Sequence, residues 1–483
     1  MPKPNASISP LAARLRAASR GGALGPPGTD SIDELWAAAD RAAAALAGCG
    51  LEPLLVGCAV ADERAFAATW LACSMAGACF VPLPPRATAH EVAAATRLVD
   101  CHLLVTDAEP AAESHVSFAA LSNGATLQPS QARLDLPSDV RMVQLTSGST
   151  GAPEAILLTE TQLAANLRQS RAHLQQRTGK RVFRALPMFH AMGNAVLLEL
   201  LATGSAQTGS AAFDPARDVA QMGEHGCQAL VCTASYLRLL LQLGILDAGH
   251  LPRLEDFELG AEPVDPRLVA ELRERFPEAR IHVRYGLSEG AGALTRLTLP
   301  AHATLPCRGA VGTALPGVEV RVVDGELWSR AASCAAERLT VAGRAPLLDG
   351  EGYLHTGDDA ELAADGTVVL HGRRSAFLKV LGHRVDPLEI EVLLRTLSGI
   401  HDAVVIGIDD PLRGQRVHAR VELRPGSPVD TDGWAAACRA GLSDFKVPAR
   451  FEVGTLPRTP SGKVDRAAAS ALARRTDPDT GES

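Results

Sequence analysis

Along the first part of the chain, apolar positions fall into two alternating textures. Leu54-Leu55-Val56-Gly57-Cys58-Ala59-Val60 is an unbroken apolar run, the pattern of a strand covered on both faces. From Glu63 to Met75 the apolar positions then recur at helical spacing. The rhythm returns at Phe80-Val81-Pro82-Leu83, Glu91 to Leu98 and His102-Leu103-Leu104-Val105. Helix starts carry their own chemistry. Ser31-Ile32-Asp33-Glu34 reads as a capping box before an alanine-rich helix that stops at Gly48. Thr159 is placed to cap a helix with Leu163, Leu167 and Leu174 on one side, and Asp265-Pro266 joins a capping carboxylate to a proline at the first helical position. Strands read at Arg181 to Leu186, Ala229 to Thr233, Phe257 to Leu259 and Ile281 to Arg284 complete the series. Such alternation predicts an α/β fold, a largely parallel sheet with helices on both faces.

The texture changes twice. From Val318 to Val323, through Asp324-Gly325, to Glu326–Ser329 the pattern predicts a hairpin, and short strands continue past Tyr353 and Gly366, so a β subdomain is expected at about 305–372. Beyond Arg373, Asp386-Pro387-Leu388-Glu389 caps a helix, strands follow at Ala403 to Ile408 and Val417 to Leu423, and a helix lies near Trp434. The expected organisation is a large N-terminal domain (1–373) of parallel-rich α/β sheets plus the β subdomain, a small α+β C-terminal domain (374–475) and a disordered polar tail (476–483).

Composition narrows the class. With 483 residues and a net charge of -8, the chain has surface enough to bury large cores and no basic footprint for nucleic acid. The 10 cysteines include no Cys-x-x-Cys and several lie in apolar runs, as in a reducing compartment. No window reaches the roughly 18 apolar residues of a membrane span, and no signal peptide is evident, so a cytoplasmic protein without a membrane partner is expected.

Candidate chemistry concentrates in Thr146-Ser147-Gly148-Ser149-Thr150-Gly151, between Met142-Val143-Gln144-Leu145 and Ala155-Ile156-Leu157-Leu158. Glycines admit close backbone approach and hydroxyls donate to anionic oxygens, which makes a phosphate cradle. Serine-glycine runs are also ordinary linkers, but a linker is polar on both sides and this loop is not. No Gly-Lys-Ser/Thr closes the spacing, so it is not a Walker loop. Thr146, His190, Gly260 and Tyr285 all fall at expected strand ends, where open α/β sheets gather ligands.

Five motifs in order carry a resemblance: Leu145 to Pro153, Tyr285-Gly286-Leu287-Ser288-Glu289, Tyr353 to Asp358, Gly372-Arg373 with Lys379 and Gly382-His383-Arg384, and Pro460-Ser461-Gly462-Lys463. Together they resemble the adenylate-forming superfamily of acyl- and aryl-CoA ligases, peptide-synthetase adenylation domains and firefly luciferase, over about residues 30 to 470. The resemblance implies that ATP and a carboxylic acid give acyl-AMP and pyrophosphate, and that a thiol then displaces AMP. It implies that Thr146 to Gly151 grip the phosphates, with Thr150 counted among the catalytic groups, and that Glu289 holds Mg²⁺. Tyr285, beside Gly260-Ala261-Glu262 and followed by Gly286 and Ser288, is implied to stack on adenine, and Asp358 with Arg373 to hold the ribose. Lys463 is the implied cation between carboxylate and α-phosphate. His190, Met192, Gly193, Ser235, Gly260 and Leu287 are implied to line the acid pocket, although His190 also reads as a structural histidine. Ser375 is the implied hinge of a swinging C-terminal domain whose Lys379, Gly382 and Arg384 serve the thioester pose.

Departures from the family pattern bear on function. Glu154 stands where a lysine is usual, placing an anion beside the phosphate loop, and Ser375 replaces the usual Asp or Lys. Amino-acid loaders carry an Asp near the position of His190; here Phe213-Asp214 lies downstream of it, so the expected substrate is a carboxylic acid without an α-amino group. The acceptor is CoA or a phosphopantetheinylated carrier protein. No basic cluster for the CoA 3′-phosphate is evident, which favours a carrier, and a chain of this length is expected to meet that carrier in trans. An amino-acid-activating enzyme and a catalytically silent adenylate-binding protein are the alternatives.

Overall fold

A computed structural model describes residues 9–20, 22, 24, 31–85, 98–107, 114–130, 134, 136–147, 153–209, 214–374, 378–380, 383–410, 414–442, 444–459 and 463–476. The chain forms two compact units, Met1–Thr356 with Leu362–Val369, and Gly357–Glu361 with Leu370–Ser483. The helix expected at Glu91 to Leu98 falls almost wholly outside the described residues, as does the tail beyond Thr476, which itself ends the helix Arg466–Thr476.

Two sheets build the first unit. Strands β1 (Leu55–Ala59), β2 (Cys79–Pro82), β3 (Leu103–Thr106), β4 (His115–Val116), β5 (Val140–Ser147) and β6 (Pro153–Thr159) belong to one of them. The apolar run predicted as a covered strand is β1, buried at every position and parallel to both β2 and β3. Its helix, Glu63–Ala76, opens where the Asp62 carboxylate accepts from Ala65 N at 2.7 Å, and stops at Gly77, whose φ of 71° a side chain would resist. Thr159 caps as expected, with Gln162 completing a reciprocal box. The following helix breaks at Ser170 into Glu160–Gln169 and Arg171–Gln175, so Leu174 sits on the second piece.

In the second sheet, β7 (Arg181–Arg184), β8 (Ala206–Gly209), β9 (Ala229–Cys232), β10 (Asp256–Leu259) and β11 (Arg280–Leu287) run parallel in the order β8-β7-β9-β10-β11. Antiparallel to β11 lies β12 (Gly292–Leu299). The expected β subdomain is not a separate layer. Its strands β13 (Ala310–Ala314), β14 (Val318–Val323), β15 (Glu326–Ala331), β16 (Glu337–Thr340), β17 (Gly343–Pro346), β18 (Leu354–Leu362) and β19 (Val368–Arg373) are shared between the two large sheets. The second sheet continues β12-β13-β19-β18-β15-β14, while β16 pairs with β6 and β17 with β16. Open edges at β6 and β12 expose unpaired backbone groups, and these short strands cover them. A hairpin signal shows that two strands pair locally, as at Asp324-Gly325 with φ of 48° and 78°, but not which edge the pair joins.

The faces of β10 and β11 are chemically opposite. Phe257, Leu259, Ile281 and Val283 are apolar and buried, with Phe257 meeting Phe276 edge-on at 5.1 Å. The alternate positions carry Asp256, Glu258, His282 and Arg284, and they are buried too. Glu258, at 0% exposure, is bound by Arg177, by Arg284 and Arg296 at 3.1 Å each, and by His173 Nε2 at 3.2 Å. Arg284 also makes a two-pronged contact with Glu199 at 3.1 Å per prong. Burial alone pushes the Glu258 carboxyl up, but the three guanidiniums and the His173 N–H outweigh it and hold the group well below the usual carboxylate range.

The second unit carries β20 (Leu378–Val380), β21 (His383–Val385), β22 (Ile400–Asp410), β23 (Gly414–Leu423) and β24 (Arg450–Val453) in one sheet. Helices Pro387–Thr396 and Thr431–Gly441 cover it, with Ile390, Leu394, Val405, Val421 and Trp434 in the core. Asp386 starts the first of them, accepting from Leu388 N at 2.9 Å.

The ionic face predicts acid sensitivity. Burial, reinforced by Arg296, holds His173 down to about 3 against an ordinary 6.5, so below 6.5 the unfolded chain takes a proton that the folded ring refuses. Stability therefore falls as pH drops through that window, and the depressed Glu258 adds a loss of the same sign below 4.5. In denaturant titrations between pH 7 and 5, the His173→Gln protein is expected to lose about 2 kcal/mol less stability than the wild type over the whole window, with most of the difference below pH 6.5. Parallel slopes would mean that His173 titrates as an ordinary imidazole.

Candidate active site

Three parallel strands, β7, β9 and β10, end side by side, next to β11, which runs on. Register puts Leu259 of β10 opposite Cys232 of β9 and Val283 of β11, with Arg184 of β7 one step back opposite Val231. His190, Ser235, Gly260 and Tyr285 lie just past those positions, at the edge where ligands collect. One expectation needs correcting. Tyr285 is not at a strand end: β11 runs on to Leu287 because β12 pairs with it, Tyr285 sitting opposite Thr295 before a bulge. Thr146 likewise is the penultimate residue of β5, which leads into an antiparallel hairpin with β6.

Around that edge the backbone is shaped by missing side chains. A Cβ on Gly260 would lie 2.7 Å from Arg284 Cγ and 2.9 Å from Met192 Cε. A Cβ on Gly193 would lie 2.0 Å from Pro187 O, so only glycine lets the helix Ala191–Thr203 start against that loop. Ala261 takes φ of 62°, a conformation that costs a non-glycine residue about 1–2 kcal/mol and that turns the chain sharply after Gly260. Glu262 then reaches back to accept from Ser235 N at 2.7 Å, so the start of the helix Ala234–Gln242 is tied to the Gly260 turn. His190 forms the N-cap of the helix Ala191–Thr203, exposed and packed on Phe189 with ring centres 4.3 Å apart. Gly260, Glu262, Met192 and Ser235 are thus in direct contact through these neighbours.

Past Tyr285, itself buried, Gly286 lies so close to β12 that a Cβ would be 2.0 Å from Gly292 O. Leu287 ends the strand, and Ser288-Glu289-Gly290 follow as a single tight turn pinned by Ala335 N donating to Glu289 O at 2.7 Å. The Glu289 side chain is half-buried, and among the described residues no cation pairs with it. That fits a Mg²⁺ ligand. Among the described residues no group of three or more His, Cys, Asp or Glu side chains converges, so such an ion would draw its other ligands from phosphate oxygens and water, the usual arrangement for nucleotide Mg²⁺.

In the second unit, Asp358 is buried and Arg373 Nε lies 2.9 Å from its Oδ1. Lys463 is half-buried at the base of a closed turn: its carbonyl accepts from Thr459 N at 2.8 Å, and Arg458 pairs as a bridge with Val464. Arg458 is itself anchored to Asp402 at 3.0 Å, which fixes the turn to the sheet. Backbone pairing sets Lys379 opposite Arg384 in the β20–β21 hairpin. Gly148, Ser149, Thr150, Gly151, Ser375 and Gly382 lie outside the described residues, and Ser147 is described for its backbone only.

Glu154 has an explanation. On β6 its carboxylate pairs with Arg338 of the neighbouring β16 at 3.1 Å, with Glu154 15% and Arg338 38% exposed. The Asp of Phe213-Asp214 is likewise committed, accepting from Arg217 N at 3.1 Å as the cap of the helix Pro215–Glu224. Sequence reasoning missed Arg338 and the buried set Glu199, Glu258 and Arg284. The last three had a legible signal, a charge inside an apolar element at Leu198-Glu199-Leu200 and Phe257-Glu258-Leu259.

Comparison with known proteins decides the family. The AMP-binding enzyme model matches residues 25–332, and the AMP-binding enzyme C-terminal domain model matches residues 389–463. This chain belongs to the AMP-binding enzyme family. It is an enzyme of the acid–thiol ligase type, in keeping with its named relatives. A fatty acid–[acyl-carrier-protein] ligase, ScoC of Streptomyces coeruleorubidus, is 28% identical over 91% of this chain and 90% of its own. A probable CoA ligase, CCL9 of Humulus lupulus, is 28% identical over 79% and 75%. The ATP-bound MatB of Rhodopseudomonas palustris shares the fold with a TM-score of 0.82 at 23% identity, covering 98% of this chain and all of that one.

The Glu154–Arg338 pair yields a direct test. Glu154→Lys and Arg338→Glu are each expected to lower the unfolding midpoint, while the double exchange recovers it, with a coupling of about 0.5–1 kcal/mol for a partly exposed pair. Additive losses in the double variant would show that the pair contributes nothing.

Proposed function

We propose that this enzyme joins a carboxylic acid to ATP as an acyl-adenylate and passes the acyl group to a phosphopantetheine thiol, on a carrier protein or on CoA. What supports the reading is the edge formed by the ends of β7, β9 and β10, past which His190, Ser235 and Gly260 follow in the chain, with Tyr285 on the adjoining β11 and Glu289 in the turn after it, a carboxylate that no cation pairs with among the described residues. A carboxylate is a poor acyl donor because oxide is a poor leaving group. Its oxygen attacks the α-phosphorus, and the bond to pyrophosphate breaks. The thiolate then attacks the acyl carbon, and AMP leaves.

Each residue has a defined task in this scheme. Thr146 to Gly151 donate to the phosphates, Tyr285 packs on adenine beside Gly260, Ala261 and Glu262, and Asp358 accepts from the ribose hydroxyls with Arg373 orienting it. A Mg²⁺ held by Glu289 would neutralise phosphate charge. Lys463 supplies an ammonium to the carboxylate and α-phosphate, stabilising charge where the two anions must approach. Ser375 is the hinge that lets Lys379, Gly382 and Arg384 serve the thiol step.

Relatives that differ in acceptor support the breadth of this statement: ScoC is named for an acyl carrier protein and CCL9 for CoA. The sequence has no recognisable basic cluster for a 3′-phosphate, which favours the carrier. Activation of an amino acid is disfavoured, since Asp214 is spent as a helix cap. Glu154 no longer argues for a silent protein, because Arg338 accounts for it.

Pyrophosphate exchange across a pool of carboxylic acids, repeated with CoA and with a pantetheinylated carrier as acceptor, tests the proposal. Exchange is expected with at least one acid and is expected to fall by about 10²–10³-fold in Lys463→Ala. Binding of ATP without exchange for any acid sinks the reading.

A further inference from the structure

We propose a second binding site, apart from the candidate active site, for a free alkyl carboxylate whose chain enters an apolar cavity of the first unit and whose head meets three arginines lining that cavity. The site is independent of the adenylation chemistry.

The cavity has a volume of about 350 Å³, within the range of pockets that take small molecules. Leu11, Arg14, Leu15 and Ala18 line it from the helix Pro10–Ala18, at the spacing that puts all four on one face. Ala164, Leu167 and Arg168 line it from the helix Glu160–Gln169, and Arg171 and Leu174 from the short helix after it. Ala202 and Thr203 add the last turn of the helix Ala191–Thr203. Two contacts tie down the first of these walls. Ser9 Oγ, at the start of Pro10–Ala18, lies 3.0 Å from Ser74 Oγ, and Leu11 N donates to Glu160 Oε1 at 2.6 Å. The cavity therefore stands between anchored helices.

Its lining divides into two chemistries. Leu11, Leu15 and Leu174 are buried, and with Leu167 and the alanines they give an aliphatic surface. No aromatic ring lines the cavity, so nothing there stacks on a nucleotide base. Arg14, Arg168 and Arg171 are exposed, and among the described residues no carboxylate pairs with any of them. No lining residue is acidic. The nearby carboxylate of Glu160 is taken by Leu11 N. Arg16, by contrast, is absent from the lining and paired with Asp40 at 2.5 Å. A net charge of -8 means that acidic partners are plentiful elsewhere on this chain, so three guanidiniums left beside one aliphatic cavity mark a place for an anionic head on an alkyl chain. Inorganic phosphate would gain nothing from the leucines, and a cationic amphiphile would be repelled by the arginines. The cavity is also distant from the candidate active site. His190 caps one end of the helix Ala191–Thr203 and Thr203 closes the other, about 20 Å away along 13 residues.

Calorimetric titration of the full chain at low ionic strength with decanoate, with decyltrimethylammonium and with inorganic phosphate tests the site. Decanoate is expected to bind about tenfold or more tightly than either control, and more weakly as salt is added. A carboxylate could also enter the active site, so hydrogen exchange locates the binding: decanoate is expected to slow exchange over residues 10–18 and 160–175. Arg168→Ala combined with Arg171→Ala removes the charges and leaves the cavity, while Ala164→Phe fills the cavity and leaves the charges. Each is expected to weaken decanoate binding by about tenfold or more. Equal binding of the cationic amphiphile overturns the proposal, as do protection confined to the region of His190, Gly260 and Tyr285, unchanged affinity in a folded variant of either kind, and no binding of decanoate at millimolar concentration. An acidic helical peptide that protects residues 10–18 and 160–175 where decanoate does not would replace the proposed ligand with a protein partner, and so overturns it too.

Discussion

A carboxylate at the centre of the second sheet must be neutralised where it stands, and much of the first unit is arranged to do so. Glu258 has no access to water, and an unpaired charge in that position would cost several kcal/mol, a large share of the stability of an ordinary domain. Arg177 and His173 come from the helical stretch after β6, Arg284 and Arg296 from β11 and β12, and Glu199 from the helix Ala191–Thr203 balances Arg284. Three segments are tied to β10 by one carboxylate, and a fourth, the helix of Glu199, is tied through Arg284. A network of this kind contributes little net stability against an apolar substitute, but it penalises every arrangement in which one member is displaced.

That penalty matters because the candidate active site is built on the same strands one or two residues further on. Leu259 and Gly260 follow Glu258, Tyr285 follows Arg284, and Met192 precedes Glu199 on one helix face. Fixing the charged residues fixes where the glycine turn, the tyrosine and Met192 lie relative to each other. The strained Ala261 and the close approach of Gly286 to β12 are sustained by this rigid base, as local strain at a ligand edge generally must be. Preorganisation is what a phosphoryl transfer needs most, since its chemistry is largely positioning and charge placement.

The second unit follows a different logic. Its sheet and two covering helices enclose an ordinary apolar core, and one of its candidate residues is mounted on a turn closed by a backbone hydrogen bond. Lys463 sits in such a turn, anchored through Arg458 to Asp402. Asp358, in the middle of β18, and Arg373, at the end of β19, are joined by an ion pair.

Much of this was legible in the residues. The covered strand at Val56, the caps at Ser31, Thr159 and Asp265, and the turn at Asp324-Gly325 are local events, decided by side chains within a few positions of each other, and the sequence determines those by itself. Ordered motifs were enough to assign the family, because chemistry at each strand end demands particular residue types. Only the tertiary structure decided which open edge the strands after β13 would join, since the backbone groups that attract them carry no side-chain signature. Only it could show that Glu154 pairs with Arg338, across 184 positions of sequence. The ionic set beneath Gly260 belongs to the same class. Charges at Glu199, Glu258 and Arg284 are visible one by one in the chain, but whether they meet depends on three elements packing at once, which no local pattern encodes.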